Sequence, residues 1–257
     1  MKDLQAVILC GGKGTRLREE TEYKPKPMVP IGGMPILWHI MKTYSNYGVR
    51  RFVLCLGYKG EMIKEYFMNF GWMSNDFSLK TQSKMEYVTH KDLEDWEIVF
   101  ADTGIETPTG GRIKKIEKHI DGDNFFATYG DGVSNINITT LRDHHVKMGK
   151  IGTLTAVHPT SQFGVVELEN GLVKSFKQKP RLEGIINGGF FAFKTDFFDY
   201  VKEESVLEED PLLSLVKKRQ LAAYHHTDFW HCMDTFKDVT ALNQMWDSGN
   251  RPWVVWK

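Results

Sequence analysis

The chain has 257 residues, 41% of them hydrophobic and 26% charged, so it can bury the core of one large domain, with or without a small appendage. Its 33 basic and 33 acidic residues cancel, which argues against nucleic acid as a partner. No apolar run reaches the roughly 18 residues of a membrane span, and no signal-peptide pattern precedes the first apolar run.

Apolar runs alternate with stretches of helical spacing through residues 1–150. The runs predict buried parallel strands over 6–10, 52–56, 98–101 and 125–129. The stretches between them predict helices over 35–47, 61–70 and 112–119. This order predicts an α/β fold with three layers, a Rossmann-like, mixed and mostly parallel sheet. Ligands of such sheets bind at the carboxyl ends of the strands.

A glycine-rich, cationic loop follows the first strand. It reads Gly-Gly-Lys-Gly-Thr-Arg over 11–16; glycines let backbone N–H groups approach an anion, and Arg16 can neutralise it. The loop lacks the spacing of a Walker-type phosphate loop. It carries Leu17 where a dinucleotide-binding loop needs its third glycine, and the second strand ends without an acidic residue. By itself the loop leaves an ordinary turn open.

Lys26 lies between Pro25 and Pro27. Prolines fix φ and push the residue between them toward an extended backbone. The sequence therefore predicts a stiffly presented lysine that is aimed at the same phosphate site as Arg16.

The later part of the chain is richer in short β segments, predicted over 153–158, 164–168, 173–177 and 189–193. Asn170-Gly171 between two of them is a hairpin signal. We predict one domain over 1–257, made of 1–150, a small β-rich extension within 151–235, and a C-terminal helix and tail over 236–257. The polar segment 71–96 is predicted to be a loop or arm and a possible subunit contact.

Several other groups are predicted to be structural. Cys10 and Cys55 end apolar strands and are expected to be buried thiols, which fits a reducing cytoplasm. The adjacent histidine pairs at 144–145 and 225–226 cannot share a helix face, so neither is expected to bind metal. The apolar segment 253–256 should pack on its own chain or on a neighbour.

Two carboxylates follow strand-like stretches in distant parts of the chain. Asp131 lies between two glycines after the run 125–129, and Asp234 follows the stretch 230–233. Mg²⁺ prefers one or two carboxylates together with phosphate oxygens. The two aspartates suit that ion, but residue types alone do not pair them, and aspartate is common in turns.

Taken together, the motifs resemble those of the sugar-1-phosphate nucleotidyltransferases. The resemblance rests on segments in the family's order, at 11–17, 24–28, 109–111, 129–131, 175–180, 187–190 and 230–235. It implies the α/β fold of that family, with 1–150 binding the nucleotide and the β-rich part covering the sugar. It also implies that a sugar-phosphate oxygen attacks the α-phosphorus of a nucleoside triphosphate, so that pyrophosphate leaves.

The resemblance assigns a role to each motif. Arg16, Lys26 and Asp131 would be catalytic, with Arg16 on the leaving pyrophosphate and Lys26 toward the α-phosphate. Asp131 and Asp234 would hold Mg²⁺. The sugar phosphate would be bound by Gln178, Lys179, Asn187 and Gly188. The nucleotide would be bound by Leu9, Gly11, Gly12, Gly14, Thr15, Arg16, Lys26, Thr109, Gly111, Arg112 and Gly130.

Within the family, the motifs are most similar to members that transfer a cytidylyl group. This implies CTP and glucose 1-phosphate as substrates, CDP-glucose for deoxysugar and O-antigen synthesis as product, and a homo-oligomer, trimer or hexamer. Gln178 replaces the usual glutamate and loses its charge, so another sugar phosphate stays open, as do UTP and dTTP. A metal-dependent glycosyltransferase is a rival, because Asp121-Gly122-Asp123 matches a D-x-D motif. That motif precedes its strand and should lie at the amino edge of the sheet. A non-catalytic nucleotide-sensing subunit is the other rival.

Overall fold

The computed structural model describes residues 4–79, 81, 85–87, 94–161, 163–178 and 180–256. The strands are β1 Gln5–Leu9, β2 Pro30–Ile31, β3 Met34–Pro35, β4 Arg51–Leu56, β5 Phe77–Leu79, β6 Met85–Tyr87, β7 Glu97–Asp102, β8 Asn124–Tyr129, β9 Gly132–Ser134, β10 Gly152–Val157, β11 Gly164–Glu169, β12 Leu172–Gln178, β13 Ile186–Lys194, β14 Leu221–His226 and β15 Trp230–Cys232. The α-helices are α1 Arg18–Thr21, α2 Ile36–Asn46, α3 Gly60–Met73, α4 Thr109–Lys115, α5 Ile138–Met148, α6 Asp210–Lys217 and α7 Phe236–Asp247. Short 3₁₀ segments lie at Thr15–Leu17, Lys26–Met28, Glu117–His119 and Thr195–Tyr200.

The central sheet has seven strands in the order β14-β10-β13-β8-β1-β4-β7. Strands β8, β1, β4 and β7 pair in parallel, as do β10 and β14, whereas β13 is antiparallel to both of its neighbours. This confirms the predicted mixed, mostly parallel sheet. Because β13 runs against the others, its first residues lie at the edge where the parallel strands end.

Side chains alternate between the two faces of the buried strands, and each face is covered by helices. Ala6 and Ile8 of β1 pack in one core cluster with residues of α2, α5 and α7. Val7 and Leu9 pack in a second cluster with residues of α4 and α6. The buried strands are apolar on both faces because helices cover both faces of the sheet. The helices and the sheet together form three layers. None of the described helices is both long and apolar enough to cross a membrane.

The β-rich later part divides between two places. Strands β10, β13 and β14 join the central sheet, so the predicted parts 1–150 and 151–235 share one core. Strands β11 and β12 form a separate antiparallel hairpin. At its turn Asn170 has φ 50° and Gly171 φ 80°, the two positive values that an Asn-Gly hairpin turn requires. Part of the predicted arm at 71–96 lies outside the described residues; within it, β5 pairs with β6.

The C-terminal aromatic segment packs on its own chain. Trp253 is fully buried, and its indole Nε1 lies 3.3 Å from Nδ1 of His39. His39 Nε2 lies 2.9 Å from the carbonyl oxygen of Ile31. A neutral imidazole satisfies both contacts, donating from Nε2 and accepting at Nδ1. Burial lowers the pKa of His39 from 6.5 to about 4.

We expect His39 to make the fold acid-sensitive. Because its pKa is lower in the folded state, its stabilisation is complete above pH 6.5 and is lost as the pH falls toward 4. Between pH 7 and 5 the loss is about 2 kcal/mol of unfolding free energy. Denaturant unfolding at both pH values, for the parent and for His39→Gln, measures it. The variant should lose less stability on acidification; equal losses would contradict the assignment.

Candidate active site

Two adjoining cavities open at the carboxyl edge of the central sheet. The glycine-loop cavity, about 490 Å³, lies between the loop after β1, residues 105–109 and the end of β8. The β13 cavity, about 360 Å³, lies between the end of β8, the start of β13 and β15. Arg16, Tyr129 and Asp131 line both cavities. The site can therefore hold two ligands that meet at these three residues.

The glycines of the loop serve different purposes. A Cβ at Gly11 would lie 2.0 Å from the guanidinium of Arg112, and Gly14 has φ 62°. The protein itself thus requires glycine at both positions. A Cβ at Gly12 would meet no atom within 4 Å, and Gly12 lines the cavity. The fold leaves that position open, which is the arrangement expected where a ligand approaches the backbone.

We expect Gly12→Ala to fold normally and to weaken nucleotide binding by about tenfold or more, because one methyl group would occupy the ligand's space. Gly184→Ala is the matched control, since a Cβ there also meets nothing within 4 Å and Gly184 lines neither cavity. Nucleotide titration of both variants, with thermal unfolding midpoints, measures the effect. Equal affinity in the two variants would show that no ligand touches Gly12.

Arg112 holds the floor of the glycine-loop cavity. Its side chain is buried, and burial lowers its pKa from the ordinary value. It donates hydrogen bonds of 2.7–3.1 Å to oxygen atoms of Gly11, Leu56, Thr103, Gly104 and Ile105. These contacts tie the glycine loop to the segment after β7. The sequence predicted that Arg112 binds nucleotide; in the structure its described guanidinium donors are engaged with the protein and shape the cavity.

Lys26 joins two carboxylates at the boundary of the cavities. Its Nζ lies 2.7 Å from Oδ2 of Asp131 and 2.6 Å from Oδ1 of Asp234. Arg16 Nη1 lies 2.8 Å from Oδ2 of Asp234. Burial opposes the charge on Lys26, but the carboxylates, Asp131 above all, outweigh it and raise the pKa of the lysine. Lys26 is therefore a fixed cation, whereas the Arg16 side chain is 75% exposed.

A short strand pair brings the two aspartates together. Asp131 directly precedes β9, Asp234 follows β15 after one residue, and β9 pairs with β15 through Gly132 and Cys232. The N–H of Met233 donates to the carbonyl of Asp131 at 2.8 Å. The pairing that residue types alone left open is thus a consequence of this ladder.

The backbone at Lys26 differs from the prediction. Pro25 is extended with ψ 148°, but Lys26 begins a 3₁₀ turn in which the N–H of Met28 donates to the carbonyl of Pro25 at 2.8 Å. The prediction of an extended lysine between the prolines was wrong, because this turn and the contacts with Asp131 and Asp234 outweigh the local preference. The stiffness follows from the turn instead.

Asp238 fixes the backbone that carries Asp234. It closes a capping box at the start of α7 with Thr235, and its Oδ2 accepts from the N–H of Asp234 at 3.1 Å. Burial opposes its ionisation, but hydrogen bonds from His231 and Thr235 lower the pKa of Asp238 to about 2. The sequence reasoning missed this residue, although Thr-x-x-Asp before a helical run is a recognisable signal.

The donor set at this point suits a hard divalent cation. One ligand atom each from Asp131, Cys232 and Asp234 lies within 4.8 Å of the other two. Carboxylate oxygens are ligands of Mg²⁺, whereas a thiol is not. Burial raises the pKa of Cys232, and the two carboxylates add to the effect, so the thiol stays protonated. The two aspartates are therefore the candidate ligands for a divalent metal.

Several polar groups line the β13 cavity, among them Asn187, Glu208 and Trp230. The amide Oδ1 of Asn187 accepts from the N–H of Gly189 at 2.9 Å, and Nε1 of Trp230 donates to the carbonyl of Gly188 at 2.7 Å. Glu208 lines the same cavity and was not predicted from the sequence. The segment that carries it has no recognised motif, and its run of acidic residues resembles a solvated surface.

The structure brings most of the predicted site residues together. The following line one cavity or both: Leu9, Gly11, Gly12, Gly14, Thr15, Arg16, Lys26, Thr109, Arg112, Gly130, Asp131, Asn187, Gly188 and Asp234. Gly111 lines neither cavity, because it packs where a Cβ would lie 1.9 Å from the carbonyl oxygen of Glu203. Gln178 ends β12 on the exposed hairpin and also lines neither. Lys179 lies outside the described residues.

Known proteins that resemble this chain are nucleotidyl transferases or share their fold. A family model described as nucleotidyl transferase matches residues 5–250. The chain is similar to a probable glucose-1-phosphate cytidylyltransferase of Bacillus subtilis, with 46% identity over 98% of this chain and 100% of the relative. It is 44% identical to a glucose-1-phosphate cytidylyltransferase of Salmonella typhi, over 99% and 100%. The crystal structure of HddC from Yersinia pseudotuberculosis with GMP-PN shares the fold, at TM-score 0.67, 22% identity, and 95% and 100% coverage.

Proposed function

The chain belongs to the nucleotidyl transferase family, and we propose that it transfers the cytidylyl group of CTP to glucose 1-phosphate, forming CDP-glucose and pyrophosphate. The names of its full-length relatives support CTP and glucose 1-phosphate as the substrates. The observation that carries the chemistry is Lys26, held between Asp131 and Asp234 where the two cavities meet. CDP-glucose would supply deoxysugar and O-antigen synthesis in the cytoplasm.

The reaction needs positioning and charge stabilisation more than proton transfer. A sugar phosphate is largely dianionic at pH 7 because its second pKa is about 6, so an oxygen can attack without a general base. CTP would occupy the glycine-loop cavity and the sugar phosphate the β13 cavity. The attack forms a bond from that oxygen to the α-phosphorus and breaks the bond to the pyrophosphate. Lys26 would stabilise the charge that develops at the α-phosphate, and Arg16 that on the leaving pyrophosphate.

Mg²⁺ is the divalent cation that we propose for the Asp131–Asp234 pair. When bound, it would offset the negative charge of the triphosphate and of the leaving pyrophosphate. In the structure Lys26 supplies the positive charge between the same carboxylates.

The geometry disfavours the glycosyltransferase alternative. Asp123 directly precedes Asn124, the first residue of β8, so the D-x-D sequence lies at the edge of the sheet opposite the two cavities. It lines neither of them. Glycosyl transfer would also leave no use for a lysine and an arginine placed around a leaving pyrophosphate.

We also propose that the chain forms a homo-oligomer, a trimer or hexamer as the family resemblance implies. The β11–β12 hairpin and its flanks expose large apolar side chains, with Phe163 76%, Leu168 67%, Leu172 74% and Phe176 64% accessible. Patches of this kind mark interaction surfaces. Size determination by light scattering tests the proposal, and a monomer at micromolar concentration would contradict it.

A substrate panel tests the function. Four nucleoside triphosphates are paired with glucose, galactose and mannose 1-phosphates, and pyrophosphate release gives kcat/KM for each pair. We expect the highest value for CTP with glucose 1-phosphate. A value for UTP or dTTP that exceeds it by about tenfold, the discrimination of one or two contacts, would overturn the cytidine assignment.

A further inference from the structure

Glu208 places a carboxylate on the wall of the β13 cavity. It belongs to the segment between the 3₁₀ turn Thr195–Tyr200 and helix α6. The family motifs described above do not include it. Asn187 and Gly188 line the same cavity.

Two hydroxyl groups orient this carboxylate. Tyr129 donates its phenolic hydrogen to Oε1, and Oγ1 of Thr109 donates to Oε2 at 3.1 Å. Burial and the hydrogen bond to Glu208 raise the pKa of Tyr129, so the phenol keeps its proton. Oγ1 of Thr109 accepts in turn from the N–H of Leu207 at 2.9 Å. Both oxygens of Glu208 are therefore held by groups from other elements of the fold.

The backbone near Glu208 is fixed as well. The N–H of Gly111 donates to the carbonyl of Ser205 at 3.0 Å. A Cβ at Gly110 would lie 2.7 Å from the same carbonyl oxygen, and one at Gly111 would lie 1.9 Å from that of Glu203. The segment before Glu208 thus packs directly on the backbone of α4. A carboxylate held in this way is preorganised for a ligand and loses little freedom on binding.

Glu208 differs in charge environment from the other carboxylates of the cavity. Asp131 and Asp234 both contact Lys26. Across the part of the chain that the structure describes, no lysine, arginine or histidine nitrogen lies within 4.0 Å of the Glu208 carboxylate. A carboxylate has about four acceptor positions, and Tyr129 and Thr109 use two. The remaining two suit neutral hydroxyl donors.

We propose that Glu208 accepts hydrogen bonds from hydroxyl groups of the sugar phosphate and thereby selects the sugar. The proposal rests on the proposed function, because it takes the β13 cavity as the place of the sugar. Glu208 would supply the charged acceptor that Gln178 does not provide. Gln178 is neutral, and it lies on the exposed hairpin and does not line the cavity. Sugars that lack the bonded hydroxyl, or present it in the other orientation, would leave the carboxylate unpaired.

Glu208→Gln tests the proposal, because glutamine keeps the size and one acceptor oxygen but loses the charge. Kinetics are measured with CTP and glucose 1-phosphate, and with the 2-, 3-, 4- and 6-deoxy analogues of the sugar phosphate. We expect the variant to lose about 10- to 100-fold in kcat/KM for glucose 1-phosphate, the range for a hydrogen bond to a charged group. The KM for CTP should change little.

The analogues separate recognition from structure. The parent should reject at least one deoxy analogue by about tenfold or more, and Glu208→Gln should lose that discrimination. Glu209→Gln is the matched control, since Glu208 and Glu209 are both exposed but Glu209 lines neither cavity; it should behave as the parent does. Thermal unfolding midpoints check the fold, and Glu208→Asp, which keeps the charge, should retain more of the discrimination than Glu208→Gln.

Different results would overturn the proposed function and the role of Glu208. A parent enzyme without pyrophosphate release from CTP and glucose 1-phosphate would overturn the function itself. An active parent whose discrimination among the analogues is unchanged in a folded Glu208→Gln would overturn the role of Glu208. Loss of discrimination in Gln178→Ala, with Glu208→Gln unaffected, would assign the sugar to the hairpin.

Discussion

Lys26→Ala is expected to lower kcat by about 10²–10³, the scale on which one preorganised charge-stabilising group acts. Lys26 is a nearly buried cation with a raised pKa, in contact with Asp131 and Asp234 where the two cavities meet. Without it, the charge that develops at the α-phosphate would lose this cationic side chain, and the two carboxylates would lose the lysine that they share. Steady-state kinetics with saturating CTP and glucose 1-phosphate measure the effect.

Lys24→Ala is the matched control for this variant. Lys24 belongs to the same proline-rich segment, pairs with Glu20 at 3.4 Å, and lines neither cavity. It should keep kcat within about twofold, because a half-buried ion pair that still contacts solvent contributes little. Circular dichroism and the thermal midpoint establish that both variants are folded. A folded Lys26→Ala with the kcat of Lys24→Ala would reduce Lys26 to a structural counterion.

Asp131→Asn and Asp234→Asn are each expected to raise the Mg²⁺ concentration needed for half-maximal rate by at least about tenfold. Loss of even an outer-shell partner of a metal costs that much, and an amide oxygen is a weaker ligand than a carboxylate. The measurement is a Mg²⁺ titration of the initial rate at fixed substrate concentrations. Direct titration with Mn²⁺, followed by its electron paramagnetic resonance signal, gives a readout that does not depend on turnover.

Asp123→Asn serves as the control for the metal variants. Asp123 lies at the opposite edge of the sheet, in the sequence Asp121-Gly122-Asp123 that matches a D-x-D motif. Its Mg²⁺ curve should match that of the parent. An unchanged curve in Asp131→Asn or in Asp234→Asn would remove that residue from the metal site, and a shifted curve in Asp123→Asn would revive the glycosyltransferase alternative.

The parts of the site that could be predicted from the sequence are those formed by consecutive residues of the chain. The loop at 11–16 follows a strand with no polar face, so its place at the carboxyl edge follows from the alternation of strands and helices. The place of Asp131 at the same edge is predicted for the same reason, because Asp131 comes after the strand β8. The glycine positions were also informative, although only the structure separates Gly11 and Gly14, which the fold requires, from Gly12, which it leaves open.

The rest depends on contacts between residues far apart in the chain. Asp131 and Asp234 meet through β9 and β15, strands of three residues each, which are too short to show a period. Glu208 is positioned by Tyr129 and Thr109, and nothing in its own acidic segment indicates them. The charge of Arg112 suits an anionic ligand, but its side chain is buried and is bonded mainly to backbone carbonyls. The residue type shows which contacts each side chain can make, but the packing of the fold determines which of those contacts it makes.

The most direct test of nucleotidyl transfer follows the phosphorus atoms of the nucleotide. The protein is incubated with Mg²⁺, glucose 1-phosphate and CTP labelled with ³²P at the α-phosphate, or in a parallel reaction at the γ-phosphate. We expect the α-label in a nucleoside-diphosphate sugar and the γ-label in pyrophosphate, in equal amounts. Recovery of the γ-label as inorganic phosphate, with the α-label remaining in a free nucleotide, would contradict attack at the α-phosphorus and with it the proposed function.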